Sequence, residues 1–191
     1  MAKRGEVYNQ YIDYDVNFRK IKYPRLEFKT GELLLILPEK FEDDKTVIKK
    51  HEEWIYQKKS QIISALKESK GKRLDMTRSK EDLNKLIRSR INLYSNELNI
   101  KVNKVYIKKM KTKWASCSSN KNLTINTFLK YLPENTINYV IFHEMIHIFE
   151  RKHNEKFWNY INQKFKDYKK RERELFVYWF LIQKIISSPH H

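Results

Sequence analysis

Glycine and proline are scarce in this chain, three and four in 191 residues, which leaves little room for long flexible linkers. Cys117 is the one cysteine, so no internal disulfide can form and a reducing compartment is expected. No hydrophobic run reaches the roughly 18 to 20 residues that span a bilayer. The longest candidate, Leu175 to Ile182, stops at Gln183-Lys184. The start, Met1-Ala-Lys-Arg-Gly, carries charge with no apolar stretch after it, which points away from a secretory signal and toward the cytoplasm. Acidic residues are in deficit as well: 23 Asp and Glu face 40 Lys and Arg, for a net charge of +17. Small soluble domains commonly carry a magnitude of about 2 to 8. Such a field attracts polyanions, so the basic surface is either a solvated shell or a footprint for nucleic acid.

Apolar material, by contrast, is ample. Hydrophobic residues make up 40% and aromatics 14%, which argues for a folded core and against disorder. From Val7 to Leu37 the chain reads as strands, and Leu26 and Phe28 alternate into Thr30-Gly31 before Leu33, Leu35 and Leu37, the pattern of a hairpin. Asp43 or Asp44 can cap a helix to about Leu66, with Val47, His51, Trp54, Ile55, Lys58 and Ile62 on its core side. The polar stretch Glu68 to Thr77 is the best internal boundary, which gives an N-terminal β-rich subdomain with a long helix over 1–68 and a catalytic domain over 79–191. Ser79 and Asp82 form a capping box for a second helix striped by Leu83, Leu86, Ile87, Ile91, Tyr94 and Leu98. Strands are expected near Val102 to Ile107 and Leu123 to Phe128, separated by a polar loop, Lys111 to Asn122. Pro133 suits the first turn of an amphipathic helix through Ile137, Val140, Ile141 and Met145. Two further helices are expected around Phe157 to Phe165 and Leu175 to Ile186. The fold class is therefore α+β.

The helix after Pro133 contains His143-Glu144-Met145-Ile146-His147. At about 100° per residue, two histidines four apart are separated by only about 40° around the helix and one turn along it, so both imidazoles can reach one ion. Glu144 flanks them and can contact a water on that ion, which makes it the candidate general base. His153 is the other nearby histidine. In a continuous helix it would point about 120° away from His147 and lie about 9 Å further along the axis. The helix must therefore stop near Glu150 to Lys152, with Asn154 able to cap the next one. Three neutral nitrogens leave one position for water, the open geometry of catalytic zinc. Zinc lowers the pKa of bound water to about 7 and polarises a carbonyl, and amide hydrolysis is the natural use.

Taken in order, Lys113-Trp-Ala-Ser-Cys-Ser118, Leu132-Pro133, the zinc-helix string, His153 and Phe157-Trp158 resemble the YgjP-like metallopeptidases, relatives of the SprT-like group. The resemblance covers most of the chain and implies a zincin-like catalytic domain, zinc ligands at His143, His147 and His153, and a catalytic acid/base at Glu144. It departs at Lys113-Trp114-Ala115, where the family pattern has Arg-Trp-Gly, and in the strongly basic segment after Trp158.

Two other functions compete with a zinc peptidase. One is a zinc-dependent nucleotide pyrophosphohydrolase, a label given to members of the resembled group, although no Gly-rich phosphate loop is present. The other is a nucleic-acid-binding module with a vestigial metal site, against which Glu144 counts, because a site that only holds zinc needs no base. The stretch Lys164, Lys166, Lys169, Lys170, Arg171 and Arg173 is the densest candidate for nucleic-acid recruitment; a solvated helix face is the plain alternative. Cys117 reads as a packed residue, with a fourth inhibitory metal ligand or a redox-sensitive thiol as the other options. Trp114 could shape a substrate pocket, but an aromatic beside a strand reads first as core; His51 reads as structural, and His190 and His191 receive no role.

Overall fold

A computed structural model describes residues 2–29 and 31–187, so Thr30, His190 and His191 lie outside the described residues. The chain is α+β and divides into two compact units, Met1–Gly71 and Lys72–Ile186. No described helix is long and apolar enough to cross a membrane.

In the first unit, strands β1 (Ala2–Val7), β2 (Gln10–Arg19), β3 (Arg25–Lys29) and β4 (Glu32–Pro38) form one sheet in the order β1-β2-β4-β3. Tyr8 and Asn9 join β1 to β2 with positive φ at both positions (47° and 60°), the two-residue turn whose twist matches an antiparallel pair. The expected hairpin is β3 against β4, with Leu26 opposite Leu35 and Phe28 opposite Leu33. The second edge of β4 pairs in parallel with β2, a contact that no local pattern announces. Leu33, Leu35 and Leu37 are buried against Val47, Ile48 and Ile55 from α1 (Asp44–Lys50) and α2 (Glu52–Ser69). Asp43 caps α1 by accepting from the Thr46 N–H. The single helix expected from Asp43 to Leu66 is thus two, broken at His51, and His51 is exposed rather than on the core side because it sits at that break.

The second unit begins with α3 (Lys80–Leu98), whose Ser79/Asp82 capping box forms as expected and whose C-terminus closes on Asn99 in the left-handed region. Strands β5 (Val105–Lys108), β6 (Ala115–Cys117) and β7 (Leu123–Asn126) form a second sheet in the order β5-β7-β6. The segment expected to be a polar loop therefore contains an edge strand. Three small residues are too few to show an alternation, and pairing with β7 decides the conformation. Helix α4 (Glu134–Ile146) starts just after Pro133, which stands at its N-cap. It is buried on nearly every side rather than amphipathic: Ile137, Val140, Ile141 and Met145 are joined inside by Thr136, Tyr139, Phe142 and Ile146. Tyr94 of α3 meets Phe142 edge to face, and α5 (Glu155–Lys164) and α6 (Tyr168–Ser187) complete the unit.

Asn126, fully buried at the end of β7, ties this sheet to the loop that leads into β6. Its amide donates to the carbonyls of Met110 (2.9 Å) and Lys113 (2.7 Å), and its oxygen accepts from the Phe128 N–H (3.1 Å). Its own N–H donates to the Trp114 carbonyl at 2.8 Å. Replacing Asn126 by Ala strips three groups of their partner, at roughly 1 kcal/mol or more apiece where water cannot substitute. A loss of about 2 to 4 kcal/mol in urea unfolding is expected; a loss below about 1 kcal/mol would mean that the loop holds itself.

Candidate metal centre

His143 and His147 leave α4 one turn apart, with ring centroids 5.2 Å from each other. The regular helix ends at Ile146, earlier than the expected stop near Glu150 to Lys152, and His147 is already its C-cap. The N–H groups of Ile148, Phe149 and Glu150 then bond back to Met145 and Ile146, tightening the last turn. The chain reverses through Arg151 and Lys152, and Asn154 caps α5 by accepting from the Phe157 N–H at 3.0 Å. His153 is thereby carried back to the two helical rings, with centroids 5.0 Å from His143 and 4.7 Å from His147.

One nitrogen from each of the three histidines lies within 4.8 Å of those of the other two, a group that could hold a metal ion. The Nε2 atoms of His143 and His153 are 3.0 Å apart. Ligands at the usual metal–nitrogen distance of about 2.0 to 2.1 Å in a tetrahedron sit about 3.3 Å from one another, so the residues present fit such an ion. His147 donates from Nδ1 to the Glu150 carbonyl (2.9 Å), which turns its Nε2 toward the site. Below the three rings lies Phe157, fully buried, with centroid distances of 4.9, 4.7 and 4.6 Å to His143, His147 and His153. Trp158 stacks on His153 at 5.6 Å, and its indole N–H donates to the His153 carbonyl at 3.1 Å. The Phe157-Trp158 pair is thus the floor and one wall of the site.

Burial, followed by repulsion from His147 and His153, lowers the His143 pKa to about 3. Burial also lowers that of His147, against the pull of the Glu150 carbonyl. Both imidazoles are held neutral, the form that ligates. Glu144 is 9% exposed, and burial lifts its pKa to about 7 despite the Lys113 charge and a backbone hydrogen bond from Cys117.

These groups open on a cavity of about 420 Å³, bordered also by β6, Trp114, and Glu172 and Leu175 of α6. In an antiparallel ladder alternate residues turn both polar backbone groups away from the partner strand. Trp114 bonds toward β7, so Ala115 and Cys117 face the cavity side; there the Cys117 carbonyl accepts from Arg151 at 3.4 Å. Cys117 borders the cavity but is outside the group that could hold a metal, and burial raises its thiol pKa, which disfavours a thiolate. Trp114, expected in the core, is half-buried: it meets Trp179 edge to face at 5.0 Å and also lines the cavity. Arg151, the Glu150 carbonyl, Tyr139 and Asn126 were not legible as site residues, since each acts through a contact distant in sequence or through backbone.

The chain shows similarity to two crystal structures of metallopeptidase zymogens. Jannalysin of Methanocaldococcus jannaschii is 33% identical over 52% of this chain and 96% of its own, with a TM-score of 0.42. Abylysin of Pyrococcus abyssi is 21% identical over 46% of this chain and 88% of its own, with a TM-score of 0.41. No curated protein sequence matches. Residues 64–177, which include the three histidines, Glu144 and β6, match the model of the YgjP-like metallopeptidase domain, and the chain belongs to that family.

Proposed function

We propose that the protein hydrolyses peptide bonds with a zinc ion held by His143, His147 and His153 and with Glu144 as general base. The observation that carries this reading is the convergence of three imidazole nitrogens beside a buried carboxyl, in a cavity edged by the outer strand of a sheet. When bound, the ion supplies Lewis acidity and a nucleophile derived from water at neutral pH. Glu144 takes the proton released by that water and returns it to the leaving amine; its site, with a pKa near 7 before any cation is counted, suits a group that must do both. The backbone of Ala115 on β6 offers an extended peptide one more strand position, which aligns its scissile bond with Glu144. Nothing in the cavity resembles a Gly-rich cradle for phosphates, and its cations, Lys113 and Arg151, share the lining with Glu144 and Glu172.

Protein purified without chelator is expected to carry about one zinc per chain, and His153→Ala to lose most of it on metal analysis. Full occupancy in that variant would remove His153 from the site. Glu144→Gln is expected to keep metal and fold while hydrolysis of casein falls by about 10² to 10⁴-fold, the usual worth of a general base. Turnover at the wild-type rate, or wild-type turnover of nucleoside triphosphates with none of casein, would overturn the reading.

Recruitment to nucleic acid is a separate proposal supported by the charge of +17. Within the basic stretch, Lys164 is paired with Glu97, and Arg171 with Asp167 and the Asn135 carbonyl. Lys166, Lys169 and Lys170 are exposed around a surface hollow that also contains the stacked Trp158 and Tyr168 rings, 5.1 Å apart. Cations beside aromatic faces suit a nucleic-acid strand. Binding to duplex DNA should then fall with salt, with a log-log slope of about −0.9 per phosphate neutralised. Replacing these three lysines by Ser should flatten the slope and leave zinc content unchanged; no retention of wild-type protein at about 50 mM salt would end the proposal.

A further inference from the structure

An imidazole that binds a metal through one nitrogen carries a proton on the other, and that proton needs an acceptor if the ring is to stay in one tautomer and one orientation. For His147 the acceptor is the Glu150 carbonyl. For His153 the ring is fixed by stacking on Trp158, whose indole also holds the residue's own carbonyl. For His143, the most buried of the three, Nε2 faces His153 at 3.0 Å, and Nδ1 faces Oε1 of Glu172 at 3.7 Å.

Glu172 belongs to α6 and is held from the other side. The Tyr139 hydroxyl donates to the same Oε1. Tyr139 sits one turn before His143 on α4, is fully buried, and places its ring edge to face with His143 at 5.9 Å. Burial first, and then the Glu172 bond, raise the Tyr139 pKa, so the phenol remains a donor. The carboxylate is therefore pinned where His143 needs an acceptor. It is not part of the group of converging metal-holding atoms, and its neighbour Glu174 is turned away into an ion pair with Lys72.

We propose that Tyr139 and Glu172 form a positioning pair for His143, in which Glu172 accepts the Nδ1 proton and thereby commits Nε2 to the metal. The proposal rests on the metal-centre reading above and deepens it. A carboxylate behind a ligating imidazole raises ligand basicity as well as fixing its direction, and such partners are commonly worth 10 to 100-fold in metal affinity. The present 3.7 Å separation is beyond hydrogen-bond length, so the proposed bond requires the two side chains to close by several tenths of an ångström when the metal binds.

The test uses the full chain loaded with zinc, with affinity measured by competition against a chelator and the His143 tautomer by imidazole ¹⁵N shifts. In wild-type protein Nδ1 should carry the proton and Nε2 should show coordination. Glu172→Gln should weaken zinc binding by about 10-fold or more and shift the His143 nitrogen resonances, while the circular dichroism is unchanged. Tyr139→Phe, which keeps the buried ring, should weaken it in the same direction by less; this variant carries the test if Glu172→Gln does not fold. Affinity within twofold of wild type in both variants, or Nδ1 found coordinated, overturns the pairing while the metal centre stands. Zinc lost entirely from Glu172→Gln but retained by His153→Ala would make Glu172 a ligand and overturn it too. Wild-type protein that binds no zinc defeats the underlying reading instead.

Discussion

The candidate metal centre depends on the chain reversal that follows α4. A helix can bring two imidazoles together through its pitch alone, but a third residue six positions on is carried away from them unless the helix ends. Here it ends on His147 itself, and the bonds that close the turn are also bonds of the site. The His147 Nδ1 contact with the Glu150 carbonyl both holds the turn and selects the nitrogen that faces His153. Asn154 caps the next helix, which sets Phe157 under all three rings. A change that loosened the turn would therefore disturb ring direction, tautomer and floor together.

The second requirement is a helix that cannot shift. α4 is enclosed on nearly all sides, with Tyr139, Ile141, Met145 and Ile146 fully buried and Phe142 locked between Tyr94 and Phe165. Close packing of this kind resists small displacements, which a site needing positions accurate to a fraction of an ångström requires. The same enclosure sets the electrostatics. It keeps the His143 and His147 imidazoles neutral and moves the Glu144 carboxyl toward neutrality, so the electrostatics of the site and the stability of the unit have one physical source.

On the open side the cavity wall is a three-residue strand whose position is decided elsewhere. β6 is held by β7, and the loop before it is anchored by Asn126. Arg151, within the reversal, reaches the carbonyl of Cys117 at the end of that strand. Sheet, turn and helix thus meet at the cavity through a few polar contacts set on a hydrophobic frame.

The sequence by itself determined the features whose information is local. The spacing of His143 and His147 on a helix, the Ser79/Asp82 box, the Asn154 cap, the β3–β4 hairpin and the need for a helix stop before His153 all follow from periodicity and side-chain chemistry within a few residues. The family was legible from the order of short motifs, because each is tied to the same site. Tertiary structure alone decided what depends on partners distant in the chain. β6 is a strand because β7 pairs with it, and His51 faces solvent because the helix breaks there. Trp114 borders the cavity and at the same time meets Trp179, 65 residues away in the chain. Glu172 lies behind His143 because α6 packs beside α4, and no spacing rule connects positions 29 residues apart on separate helices. Helix pitch is written in neighbouring residues; the meeting of elements is settled by which surfaces bury each other.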